Sequence, residues 1–116
     1  MVELVITNQN RYQYVKNNIL TINEAEAKAI TRLYCSNMNI LSIDLSNCIN
    51  LVHLDCCINN ILSIDLSNCV NLEIFSCRYN KISLIDLSNC VNLKCLDCCI
   101  NNILSINLSN CANLED

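Results

Sequence analysis

Glycine, proline and tryptophan are absent from this chain, and phenylalanine and histidine occur once each. Without glycine and proline, asparagine and serine must turn the backbone. The Ser-Asn pairs at 46–47, 67–68, 88–89 and 109–110 are placed to do so, because asparagine tolerates left-handed backbone and bonds its own neighbouring backbone. Aromatic residues are 4 % of the chain against 53 % hydrophobic, which points to thin layers of aliphatic side chains and not to a core around large rings. Charge is also scarce, at 16 % with a net of −4, and the few Lys and Arg are scattered. The electrostatic footprint of nucleic-acid binding is therefore missing. No stretch approaches the roughly 18–20 apolar residues of a membrane helix. The N-terminus, MVELVITNQNRYQYVKNN, lacks the basic start and apolar run of a secretory signal. His53 is the only histidine, and no Ser-His-acid set comes together around it, so a hydrolase has little support. The expectation is a non-enzymatic protein with no cofactor, no metal, no nucleic-acid partner and no membrane association.

What is present is a repeat. A 21-residue unit, LVHLDCCINNILSIDLSNCVN, runs over 51–71 and returns at 72–92 and 93–113, with a divergent copy at 30–50. A fixed period of this length is the signature of a stacked array. Ile30, Leu51, Leu72 and Leu93 form one column, and Leu114 begins a fifth coil. Further columns are Leu33, Leu54, Phe75, Leu96, then Cys35, Cys56, Cys77, Cys98, then Met38, Asn59, Asn80, Asn101. Each unit then repeats its own spacing ten residues later, as in Ile61, Ile64, Leu66 and Cys69. The two-residue steps, 54 to 56 and 64 to 66, put both side chains on one face of a strand. The three-residue steps turn corners. One unit is therefore a flat coil with a short strand on each long side, and neighbouring coils must stack to share a core.

The pattern L-x-x-L-x-C-x-x-N-x-I-x-x-I-D-L-S-N-C resembles the leucine-rich repeat, in a short version with two nested half-repeats found in bacterial and some viral proteins. The resemblance covers residues 30–114. It implies an α/β-type leucine-rich repeat solenoid: mostly short parallel strands, a right-handed superhelix of four coils, and a sheet face used for protein binding. Cysteine stands where leucine is usual, and Met38 where asparagine is usual. Residues 1–29 lie outside the repeat and divide into a strand at 2–6, a helical turn or two over 10–17 with Tyr14 and Val15 partly buried, and a helix over 23–30 capped by Asn23. The segment EAEAKAIT resembles the N-terminal caps of bacterial leucine-rich-repeat proteins. Some relatives carry a calcium loop before it. Residues 16–23 have no Asp, Glu or Gly, so calcium is not carried over. The two expected domains are thus a cap, 1–29, and the solenoid, 30–116. At the far end only the acids Glu115 and Asp116 offer protection, which leaves self-association through an open last coil as a second reading.

Eleven cysteines with no export signal suit a reducing, intracellular (cytoplasmic) setting. Eight of them sit in inward columns. Stacked Cα atoms lie about 4.7–4.9 Å apart, and parallel Cβ vectors hold that separation where a disulfide prefers about 3.8 Å. The columns therefore read as small hydrophobes. Cys95-Leu96-Asp97-Cys98 spells C-x-x-C, but strand alternation sends Cys95 outward and Cys98 inward. Asp44, Asp65 and Asp86 form an outward acidic column that bonds the turn or faces water. The recurring Asn59, Asn80 and Asn101 satisfy backbone groups at the turn.

Among outward positions, one long side barely changes between copies and the other changes at every coil. The changing rows are Arg32, His53, Ile74, Cys95, then Tyr34, Asp55, Ser76, Asp97, then Ser36, Cys57, Arg78, Cys99, extended by Asn37, Ile58, Tyr79 and Ile100. Tyr, Arg and exposed Ile among polar residues make a contact patch. Arg32, Tyr34, His53, Asp55, Ile74, Ser76, Arg78, Tyr79 and Asp97 are the expected contacts for a protein partner.

Overall fold

A computed structural model describes residues 2–115; Asp116, expected to help shield the last coil, lies outside them. In chain order the elements are β1 (Glu3–Val5), α1 (Arg11–Tyr14), β2 (Val15–Lys16), β3 (Ile19–Leu20), α2 (Glu24–Ala29), β4 (Arg32–Tyr34), β5 (Ser42–Ile43) and β6 (His53–Asp55). β7 (Ile74–Ser76), β8 (Leu84–Asp86), β9 (Cys95–Asp97) and β10 (Ser105–Asn107) complete the chain. Together they build a parallel β-solenoid of about four coils with few helices.

The first long side of each coil contributes one strand to a five-stranded sheet, β1-β4-β6-β7-β9. Every pairing within the repeat steps by one unit: Leu33 faces Leu54, Leu54 faces Phe75, Phe75 faces Leu96. The register is strongly specified, because a one-residue slip would turn the buried column outward. β1 adds to this sheet in parallel, with Leu4 against Leu33.

The second long side is less regular. β5 pairs with β3, β8 with β10, and residues 61–66 of the second coil form no strand. Asp44, Asp65 and Asp86 each accept a bond from the backbone N–H two residues on, at 3.0, 2.9 and 2.9 Å. These local turns close the second long side of each coil.

The core is one continuous column of aliphatic and thiol side chains. Leu33, Cys35, Leu54, Cys56, Phe75, Cys77, Ile40, Ile61, Ile82, Cys48, Cys69 and Cys90 are all fully buried. Leu4, Ile6, Val15, Leu20 and Ala27 of the N-terminal segment join the same cluster. The fourth coil differs: Leu96, Cys98, Ile103, Ile106 and Cys111 are only partly buried, while Phe75, Cys77, Ile82, Ile85 and Cys90 above them are closed off.

Within the N-terminal segment, α2 is capped as its sequence predicts, the Asn23 side chain accepting from the Glu26 N–H at 2.9 Å. The 10–17 stretch gives only the short α1 before turning into a hairpin. β2 and β3 pair antiparallel around Asn17 and Asn18, both left-handed at φ 53° and 63°. Two successive left-handed residues are what a tight two-residue hairpin requires.

Candidate interaction surface

The turns of the solenoid fall in an unexpected place. The Ser-Asn pairs do not take left-handed backbone. The left-handed positions of the repeat are Asn37, Ile58, Tyr79 and Ile100, at φ 57°, 56°, 59° and 57°, joined by Asn39 in the first coil. Side-chain amides follow three of them, at Asn59, Asn80 and Asn101, and Met38 follows Asn37. The Asn59 oxygen accepts from the Met38 and Ile40 N–H groups at 3.0 Å each, and its nitrogen donates to the carbonyls of Cys35 and Cys56, both at 3.0 Å. Asn80 repeats the set with Ile61, Cys56 and Cys77. Carbonyls of two coils converge on one amide at these corners, and Asn37 takes the same backbone before Met38, which has no amide. The Ser-Asn asparagines instead ladder the coils: Asn68, Asn89 and Asn110 donate to the carbonyls of Ser46, Ser67 and Ser88 at 3.0, 3.1 and 2.9 Å.

On the sheet side the expected contact residues are brought together in three rows, but many are engaged with one another. Tyr34 stands edge-on to His53, ring centroids 5.0 Å apart. Ser36 donates to Asp55 at 2.9 Å, Cys57 meets the Ser76 hydroxyl at 2.9 Å, and Arg78 lies 3.6 Å from Asp97. These three are one diagonal contact repeated from coil to coil. The variation between copies on this face is thus partly pairing between neighbouring strands, and these positions are not free of packing constraint. Asp97 is held below the usual carboxylate range, first by the Cys99 backbone N–H and further by Arg78. Arg78 also lies over the Tyr79 ring, 5.5 Å from its centroid. Arg32 is half-buried in the sheet, and Ile74 is exposed. A depression of about 430 Å³ opens beside Ile74, Ser76, Arg78, Cys95, Asp97 and Cys99.

Exposed apolar residues also run where sequence reasoning did not place them. Leu41, Leu62, Leu84 and Leu104 flank the turn after the left-handed column, and Ile49, Val70 and Val91 form another row. The recurrence of Leu41, Leu62 and Leu104 at one position of the 21-residue unit outside the inward columns, with Ser83 in the third coil, was the available signal. Ile58, Tyr79 and Ile100 are 52 %, 49 % and 56 % exposed, so the left-handed turn carries an apolar ridge along the solenoid.

The remaining chemistry is subdued. All eleven cysteines are free thiols, and burial pushes the inward ones up: Cys48 and Cys90 to about 11, Cys69 and Cys77 to about 12. Cys99 is the exposed thiol, while Cys95 and Cys98 are half-buried. Among the described residues no three His, Cys, Asp or Glu side chains converge as a metal site would require. Hydrogen bonds from Ser46 and Ser67 hold Asp44 and Asp65 below the ordinary carboxylate range. No helix of the described residues is long and apolar enough to cross a membrane.

The class these features define is a parallel β-solenoid with an exposed apolar ridge beside a five-stranded sheet. No protein-family model matches the sequence, and no curated protein or solved structure matches it.

Proposed function

We propose that this chain is a non-enzymatic protein-interaction module of the short leucine-rich-repeat type, working inside the cell with reduced thiols. Residues 1–29 act as its N-terminal cap, and the sheet side with its adjoining ridge receives the partner. The supporting observation is the side-chain choice at the left-handed turn. An L-residue there costs roughly 1–2 kcal/mol, and a β-branched one is the least suited of all. Asn37 fills the position comfortably in the first coil, yet Ile58, Tyr79 and Ile100 fill it in the others. Holding an exposed apolar side chain in strained backbone has no structural benefit; a contact surface supplies one. Arg78 over Tyr79 adds the residue types in which interfaces concentrate their energy.

The test is capture of a partner from the native cell with the full chain as bait. Changing Arg78 and Tyr79 to Ala should weaken binding by about 1–2 kcal/mol or more, while Asp65→Ala and Asp86→Ala leave it intact. The assignment of faces is wrong if the Asp variants lose the partner and the Arg78/Tyr79 variant keeps it. Self-association is the second reading, favoured by the part-exposed inward columns of the 93–113 coil. A light-scattering concentration series separates the two, since a pure binding module stays monomeric.

A further inference from the structure

The apolar ridge ends, at its N-terminal side, in a cleft of about 310 Å³ lined by Asn8, Arg11, Asn37, Asn39, Ile58 and Asn60. Its one charged group is the Arg11 guanidinium. Arg11 Nε donates to the Met38 carbonyl at 2.8 Å, which fixes the plane of the group and leaves its terminal nitrogens to donate elsewhere. The ion pairs among the described residues are Lys28–Glu24, Arg78–Asp97 and Lys94–Glu73, so no described carboxylate pairs with Arg11.

The asparagines of the lining supply both donors and acceptors, so the charge is what selects a ligand. Asn60 donates its amide to the Asn39 oxygen at 2.9 Å, which leaves the Asn39 amide nitrogen as a donor beside Arg11. The Asn59 oxygen is already taken by two backbone N–H groups. A carboxylate complements the guanidinium, and the planar guanidinium edge matches its two oxygens.

Ile58 lines this cleft and also begins the exposed ridge. With coils stacked at about 4.8 Å, the line from Ile58 through Tyr79 to Ile100 is about 10 Å long, the reach of roughly three extended residues. We infer that the Arg11 cleft takes a carboxylate, and that the partner segment lies extended with this acid at one end and apolar side chains along Ile58, Tyr79 and Ile100. The identity of the ligand as a protein segment rests on the proposed function; the carboxylate site does not.

Hexanoate is a minimal probe, a carboxylate with an apolar tail. In a ¹H–¹⁵N titration of the full chain at constant ionic strength, hexanoate should shift the Arg11 Nε, Asn39, Asn60 and Ile58 signals together and saturably. Acetate should act more weakly at the Arg11 end, and 1-hexanol should leave Arg11 unmoved. Arg11→Gln should weaken hexanoate roughly tenfold. Because that variant also loses the bond to Met38, Asn39→Asp serves as a second one, keeping Arg11 and placing a competing acid in the cleft; it too should abolish binding. The inference fails if hexanoate does not saturate, if both variants bind it as the parent does, or if inorganic phosphate binds more tightly than hexanoate. Loss of partner capture on changing Arg78 and Tyr79 with no hexanoate binding would remove the carboxylate and leave the interaction module. Hexanoate binding without any captured partner would do the reverse.

Discussion

On the sheet side of each coil, outward side chains pair with side chains of the next coil; on the opposite side, the acids bond within their own turn and the asparagines bond the backbone of the coil before. Ser36–Asp55 and Arg78–Asp97 are contacts of the first kind. The Asp65 carboxylate held by the Ser67 N–H at 2.9 Å is one of the second. A contact between coils lets residue types differ from copy to copy, provided each pair matches. A contact within the turn demands an acceptor and a serine at fixed places, and Asp44, Asp65, Asp86 and Asn107 each hold the serine two residues on. The sheet side therefore has more freedom to diversify.

The largest test of the comparison is alkaline. Six thiols are buried, three in each inward column, and burial raises all of them. A thiol raised in the folded state stabilises it fully below the unfolded value near 8.5. That contribution is lost as pH climbs toward the folded value, at about 1.4 kcal/mol per thiol per pH unit. Six such losses rival the roughly 5–15 kcal/mol of a whole domain. Circular dichroism should show cooperative unfolding between about pH 9 and 11. The Cys90 thiol sits at about 11, while Cys56 is pushed well beyond the ordinary range. Cys90→Ala and Cys56→Ala should each flatten the pH dependence of stability above about pH 8.5. A stability that is flat to pH 11 would refute the buried columns.

A middle-sized effect contrasts the two asparagine ladders. Asn80 is buried and bonds Ile61 N–H and the Cys56 and Cys77 carbonyls. Asn80→Ala strands those groups and should cost about 3 kcal/mol or more. Asn89 is exposed and donates once, to the Ser67 carbonyl, so Asn89→Ala should cost under about 1 kcal/mol. Equal losses in thermal melts would mean that the two sides are held in the same way.

The smallest effect has the opposite sign. Ile58→Asn places a tolerated residue at φ 56° and should raise stability by about 1 kcal/mol while weakening partner binding. Asn37→Ile should lower stability by a similar amount. If Ile58→Asn destabilises the chain, the ridge is part of the packing and not a surface held for contact.

Much of the coil could be read from its residues. The 21-residue period, the inward columns, the strands around Leu54 and Phe75, the Asn23 helix start and the amides of Asn59 and Asn80 all follow from spacing and residue type. Each depends on the local chain or on a copy of itself one coil away, so the sequence carries the information twice. Of the expected contact residues, Arg32, Tyr34, His53, Asp55, Ile74, Ser76 and Asp97 fall on one sheet, where strand alternation decides which side chains point outward, and Arg78 and Tyr79 lie in the turn beside it.

Three features came only with the tertiary structure. The left-handed residues are Ile58, Tyr79 and Ile100, whose own preferences argue against it. The same backbone recurs at Asn37 before Met38, so it belongs to the corner of the coil, where the amides of the later coils then gather carbonyls from the coil before. The Val15–Leu20 hairpin was hidden because its second strand is stabilised by pairing with Ser42 and Ile43, more than twenty residues away. The Arg11 cleft joins the N-terminal segment to the second coil through Ile58 and Asn60, residues whose nearness no periodic pattern encodes. Sequence alone determined the repeating coil, since its contacts recur at a fixed period. The tertiary structure decided its corners and its end, where each residue answers to neighbours that do not repeat.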